Sequence, residues 1–270
     1  MADKISCSVQ ILTCNSEENL EKNLISTKDF EEVIILDGNS TDKTLEIAKK
    51  YNCKIYPQIE GVNGKIQIND FSYIRNRGIK FSTKDWIVVV DSDEYLTDSL
   101  IVEIRDIVSH DISEYLIYKF PRKYEADGKI IDYSIGYPNY GIRLWNKKTG
   151  LIFRRKLHEK PSFSDNYKVG ITKNLVINIW PSLQKIEKKY KRYLDIETKA
   201  IFENGLTLRV YLKMFFYRLR ETLHSLMRLI RWFFYRGNKL PLRNELFRIW
   251  YRFIIIFTTF PYLFKDKQKK

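Results

Sequence analysis

The chain has 270 residues, 14% of them aromatic and 30% charged, with a formal net charge of +14. That length allows one large α/β domain with an appendage. Three cysteines, Cys7, Cys14 and Cys53, form an odd set without metal-ligand spacing, which excludes a disulfide framework and reads as free thiols of a reducing compartment. The opening MADKISCSVQIL is too polar for a signal peptide. The positive charge is not spread evenly: residues 205–270 hold 15 Lys and Arg against 3 Asp and Glu, so a near-neutral domain is followed by a basic tail.

Residues 5–12 (ISCSVQIL) read as a strand, followed by a polar turn and a helical pattern over 17–26. The apolar run 33–37 (VIILD) is a second strand, ending in Asp37. Residues 40–51 (STDKTLEIAKKY) open with a helix-capping signal and carry apolar residues at helical spacing. Residues 53–57 give a third strand, 71–81 a helix and 86–90 a fourth strand. Strands alternating with helices over short connections imply a parallel, right-handed, doubly wound sheet, whose ligands bind beyond the carboxyl ends of the strands. Thr13-Cys14-Asn15, Asp37 and Asp91-Ser92-Asp93 all fall at those ends. Asp37 and Asp42 also suit the plainer role of capping the next helix.

Between 115 and 180 the pattern changes to short β-like runs (YLIYKF, IIDYSI, YGIRLW, LIFRRKLHE, LVINIW), consistent with antiparallel strands added to the parallel half. Beyond Pro181 the chain turns helical. The expected division is a catalytic domain over 1–181 and a helical, basic and aromatic region over 182–270.

The run WIVVVDSDEY (86–95) ends a buried strand in three carboxylates within four positions. Two carboxylates one residue apart on a turn can hold one Mg²⁺ or Mn²⁺, the remaining ligands being waters and substrate phosphates. Such a metal makes a diphosphate a better leaving group. Neither G-x-x-x-x-G-K-[ST] nor G-x-G-x-x-G occurs, which argues against a P-loop or dinucleotide site.

TCNSEENL (13–20), VIILDGNSTDKTLEIAKKY (33–51), RNRG (75–78) and WIVVVDSDE (86–94) together resemble family 2 glycosyltransferases of the GT-A fold, in order and spacing. PNYGIRLW (138–145) and LHEKP (157–161) are similar to the subgroup that builds lipopolysaccharide cores and related surface glycans. The resemblance covers roughly residues 5–161. It implies a doubly wound, mostly parallel sheet with a small antiparallel extension, followed here by C-terminal amphipathic helices. It also implies that Thr13, Asn15 and Asp37 line the nucleotide pocket, that Arg75 approaches the base or diphosphate, and that Asp91 and Asp93 hold the metal and the sugar nucleotide. Two features depart from the family pattern: Ser16 stands where relatives often carry an acid, and the first strand is unusually polar.

Inverting transfer needs a base for the acceptor hydroxyl. Glu159 is the candidate, with Asp93 and Glu94 as competitors and a charged surface residue as the plain alternative. His158 is a candidate diphosphate or metal contact. Arg143, flanked by apolar residues in IRLW, suits either a phosphate contact or a structural ion pair.

In the tail, 16 aromatic and 15 basic residues share 66 positions. Its longest uncharged stretch, 253–264, has 12 residues, against the roughly 20 that span a bilayer. That composition favours helices lying on an anionic membrane surface over a transmembrane span; a re-entrant hairpin and packing on the catalytic domain are the alternatives. The sequence thus points to a metal-dependent, inverting glycosyltransferase. It would use a nucleotide diphosphate sugar and a lipid-linked or surface-glycan acceptor, and would sit in the cytoplasm, peripheral on the inner face of the cell membrane. One rival is a nucleotidyltransferase acting on a sugar phosphate, although TCNSEENL lacks the Gly- and Lys/Arg-rich first loop common there. The other is a basic nucleic-acid-binding module, which the charge distribution disfavours.

Overall fold

The computed structural model describes residues 3–62, 64, 70–110, 114–155, 159–203 and 205–264. It divides into two compact units: one runs to Tyr124 and resumes over Pro138–Ile179, and the other comprises Glu125–Tyr137 and the chain from Trp180 onward.

In the first unit, β1 (Ile5–Thr13) is followed by α1 (Glu17–Thr27), β2 (Phe30–Asp37), α2 (Thr44–Lys50), β3 (Lys54–Pro57), α3 (Phe71–Phe81) and β4 (Trp86–Val89). The four strands are parallel in the order β3-β2-β1-β4. The chain winds outward from β1 to β3, then returns to the other side of β1 as β4. The strand order reverses between β1 and β4, and the carboxyl ends of those strands are the usual ligand position of such sheets. Ile11, Leu20, Leu24, Val88 and Leu100 are among the fully buried residues of the core beneath it.

Next come β5 (Glu94–Leu96), α4 (Asp98–Ser109), β6 (Ile117–Ala126), β7 (Lys129–Ile130), β8 (Tyr140–Asn146), β9 (Ile152–Arg154), β10 (Lys160–Ser162), β11 (Val169–Ile171) and β12 (Val176–Ile179). β8 joins β4 antiparallel and β6 joins β8 antiparallel, extending the sheet beyond its parallel half. β5 pairs with β12, and β9 with β10. The expected α/β class, a parallel half with an antiparallel extension and C-terminal helices, is the one found.

The polar first strand has a structural explanation. Ser8 donates to the buried carboxylate of Glu32, and Gln10 donates to Ser82 Oγ at 3.1 Å, which in turn donates to the Gly78 carbonyl at 2.8 Å. Glycine at 78 leaves this pair undisturbed, since a Cβ would lie 2.7 Å from Gln10 Oε1 and 3.0 Å from Leu36 Cδ1 and would force those side chains to shift. The glycine of RNRG therefore sets α3 close against the sheet.

Three elements differ from the sequence expectation. α2 starts at Thr44, not at residue 40; Ser40 and Thr41 instead belong to the loop, their backbone N–H groups donating to the side chains of Asp37 and Asn15. α4 was not expected, although Thr97 caps it, accepting from Leu100 N at 3.3 Å, and Leu100, Ile101 and Ile104 form its buried face. IIDYSI is not a strand beyond Ile130. Its backbone instead meets the segment before the last helix: Asp132 N donates to Asn238 O at 2.8 Å, and Leu240 N donates to Tyr133 O at 3.1 Å.

The second unit adds α5 (Leu183–Glu203), α6 (Leu208–Phe234) and α7 (Leu242–Thr259). The Tyr190 ring of α5 packs edge-on against Tyr251 and Phe247 of α7. Buried Glu245 of α7 accepts from Ile135 N at 2.9 Å and so ties the 125–137 segment to the helices.

Candidate functional site

The first loop is built around Asp37. Its Oδ1 accepts from Thr13 Oγ1 at 2.7 Å and Ser40 Oγ at 2.6 Å, and its Oδ2 accepts from Ser40 N at 2.8 Å. Thr13 faces Asp37 in register across β1 and β2, so the pair locks the two strand ends together. Asn15 and Asn39 both take left-handed backbone, φ 52° and 57°, a conformation Asn tolerates better than most residues. Asn15 N donates to Ser40 Oγ at 2.8 Å, and its Oδ1 accepts from Thr41 N at 2.9 Å. Thr13, Asn15 and Asp37 thus form one preorganised rim.

The same rim reaches the D-S-D turn. Ser16, the residue that departs from the family pattern, donates to Ser92 Oγ at 3.1 Å. Buried Asn23 of α1 donates to the carbonyls of Asp91 (2.9 Å) and Glu94 (2.8 Å), fixing the turn from below.

At the turn the charges are paired tightly. Asp91 Oδ2 accepts from Arg143 Nη2 at 2.8 Å, and Oδ1 accepts from Arg75. Glu94 Oε1 accepts from the same Arg143 nitrogen at 2.9 Å and pairs with Arg122 Nε at 3.1 Å, while its Oε2 accepts from Asp91 N at 3.1 Å. Glu159 Oε1 lies 3.5 Å from Arg75 Nε. Arg75 from α3, Arg143 from β8 and Arg122 from β6 therefore converge on Asp91, Glu94 and Glu159.

Burial works against ionisation of both turn carboxylates, with opposite results. At Asp91, Arg143, Arg75 and Arg122 outweigh it and hold the carboxyl well below the usual range. At Glu94 burial wins, with Asp91 and Asp93 adding to it against Arg143 and Arg122, and the carboxyl is pushed up. Burial also opposes the Arg143 charge, but Asp91 and Glu94 raise its pKa.

Asp91, Arg75, Arg143 and Glu159 are brought together as one cluster. Asp93 lies on the same turn, where its carbonyl accepts from Ile179 N at 2.7 Å. Thr13, Asn15 and Asp37 join the cluster through the Ser16–Ser92 contact. His158 lies outside the described residues. Arg122 was missed in the sequence because it reads as one cation in a half-exposed strand; Pro121, rare in a strand interior, is the only local mark beside it.

The donor set suits an anion and a hard cation side by side. Among the described residues buried Arg75 Nη1 has no hydrogen-bond partner, and a buried guanidinium N–H beyond the strand ends matches a phosphate oxygen. The carboxylates of a D-S-D turn match Mg²⁺ or Mn²⁺. Among the described residues no group of three His, Cys, Asp or Glu side chains is placed to hold a metal without help from substrate oxygens.

Residues 8–173 match the family model described as Glycosyl transferase family 2. The chain is 28% identical over 209 residues to the SPbeta prophage-derived glycosyltransferase SunS of Bacillus subtilis (strain 168), covering 73% of this chain and 45% of that protein. It is 32% identical over 145 residues to an uncharacterised glycosyltransferase of Rickettsia typhi, covering 52% and 46%. It is 28% identical over 120 residues to the poly(ribitol-phosphate) beta-N-acetylglucosaminyltransferase TarS of Staphylococcus aureus, covering 42% and 20%. The chain spans less than half the length of these relatives.

Proposed function

The chain belongs to glycosyl transferase family 2, and on that premise we propose that the Asp91–Asp93 turn and its arginines bind a nucleotide diphosphate sugar for inverting transfer. The observation that carries this reading is the convergence of Arg75, Arg143 and Arg122 on the turn that follows β4, beside the carboxyl end of β1. Thr13, Asn15 and Asp37 line the nucleoside end. Arg75, whose buried Nη1 has no partner among the described residues, and Arg143 take phosphate oxygens.

Asp91 and Asp93 would hold a Mg²⁺ or Mn²⁺, which when bound supplies charge neutralisation to the departing diphosphate. Asp91 pairs with Arg75 and Arg143, and Asp93 supplies the second carboxylate of the turn. Glu159 removes the acceptor hydroxyl proton as that oxygen bonds to the anomeric carbon and the bond to the diphosphate breaks. Its contact with Arg75 places the base candidate beside a residue that also holds Asp91. Asp93 is the second candidate for that base.

The acceptor we propose is a surface-glycan or lipid-linked saccharide, reached at the inner membrane face. The similarity to TarS, a poly(ribitol-phosphate) beta-N-acetylglucosaminyltransferase, supports a polymeric acceptor. Donor hydrolysis and transfer should fall at least about 100-fold in Glu159→Gln, the scale of a lost general base, with KM for the donor nearly unchanged. In Asp93→Ala both donor binding and turnover should fall, and chelation of divalent ions should reproduce that loss in the wild type. Unchanged turnover in Glu159→Gln, or activity indifferent to chelation, would contradict the assignment.

A further inference from the structure

The second unit leaves a large apolar surface bare. At about 100° per residue, Leu212, Phe216, Leu223, Ile230 and Phe234 align along one side of α6, with Phe216 62% and Ile230 61% exposed. A separate face of α6 is buried through Tyr211, Thr222, Ser225 and Leu229. α7 repeats the design: Leu246, Trp250 and Phe257 are exposed in one row, while Ile249, Ile255 and Ile256 are buried.

Leu229 clusters with Ile249, and Tyr211 with Ile256, so the helices pack antiparallel. In each helix the bare row follows the buried face by the same sense of rotation, about a third of a turn, and in an antiparallel pair this puts both rows on one side. α5 packs elsewhere, with Tyr190 on Phe247 and Tyr251, and Glu197 3.6 Å from Arg218.

The charges select the occupant. α6 carries six Lys or Arg and one acid, Glu221. Arg209, Lys213, Arg220 and Arg231 fall in a row beside the apolar side, and Glu221 lies off it. A second copy of this chain would bring the same cations against these; a bilayer with anionic headgroups complements both apolar side and basic flank. A helix of 27 residues is about 40 Å long, yet no helix among the described residues is long and apolar enough to cross a membrane.

We infer that the α6–α7 hairpin lies flat in the interface of an anionic membrane, its apolar side among the acyl chains and the row Arg209, Lys213, Arg220 and Arg231 on the headgroups. This gives a specific face to the membrane location proposed above and uses no part of the catalytic reading.

The test is co-sedimentation of the full chain with vesicles of phosphatidylethanolamine and phosphatidylglycerol (3:1), and with phosphatidylcholine alone. Binding to the anionic vesicles should be at least tenfold tighter and should weaken as salt rises. Phe216→Glu with Ile230→Glu should cut it at least tenfold, and so should Gln at all four basic positions, a change that keeps helix propensity. Donor hydrolysis without vesicles should be unchanged in both variants, which reports that the fold and the catalytic site are intact. No vesicle binding by the wild type, equal binding by the variants, or a wild-type dimer in solution that the Glu variants dissociate would overturn the inference. Loss of donor hydrolysis in Asp93→Ala with vesicle binding intact separates the two proposals.

Discussion

Glu94 is the residue whose role the structure makes specific. Buried at the turn, it spends one oxygen on the Asp91 N–H and the other on Arg143 and Arg122, so it acts by positioning the arginines. Its raised pKa means that its ionisation opposes folding: stability is favoured below the unfolded carboxyl value and lost as pH rises through the folded one. Glu94→Gln should therefore cost little stability at neutral pH, within about 1 kcal/mol. Glu94→Ala, which takes a carboxylate from buried Arg143, from partly buried Arg122 and from the Asp91 N–H, should cost about 3 kcal/mol in denaturant melts. Glu32, near the start of β2 beside Ser8 of β1, behaves oppositely. Burial opposes its charge, but bonds from Lys54, Ser8 and Thr83 outweigh that and lower its pKa to about 2. Its stabilisation is full above the unfolded value of about 4.3 and is lost as pH falls towards 2. Glu32→Gln should then be less stable by about 2 kcal/mol at pH 7, allowing for the half-exposed Lys54, and the difference should shrink to nothing near pH 2.

At the scale of elements, α3 is the piece that delivers Arg75. Asp70 caps it, accepting from Tyr73 N at 2.9 Å, and Gly78 lets it approach Gln10. Asp70→Ala should lower stability by about 1 kcal/mol, and should also weaken donor binding, since a frayed first turn loosens Arg75; donor titration by calorimetry measures the second effect. The parallel half was legible because its strands are short apolar runs and its helices follow the 3.6-residue period. The carboxylates at its strand ends, Asp37, Asp91 and Asp93, could be read from that pattern. Pairings across distant segments could not. Arg122 and Glu94 meet only because β6 and β8 add to the sheet beside β4, and nothing local in YLIYKFPRK or WIVVVDSDEY encodes that encounter. α4 was not expected because its cap, Thr97, follows directly on the short strand β5, with no glycine or proline to mark the boundary.

At the scale of the molecule, the matched residues 8–173 fall almost wholly in the unit that carries the site. The positive charge sits in the other unit, where it accompanies exposed aromatic and aliphatic side chains. The sequence separated these two chemistries by composition alone, although it did not show that residues 125–137 cluster with the helices.

The most direct measurement is a calorimetric titration of the full chain with UDP-, GDP- and dTDP-sugars, with Mn²⁺ and with a chelator, repeated on Asp93→Ala and Arg75→Ala. One nucleotide class should bind with Mn²⁺ and lose at least tenfold in affinity with the chelator and in each variant. If none of these sugars binds, or one binds equally to the wild type and both variants, the Asp91–Asp93 turn is not the donor site.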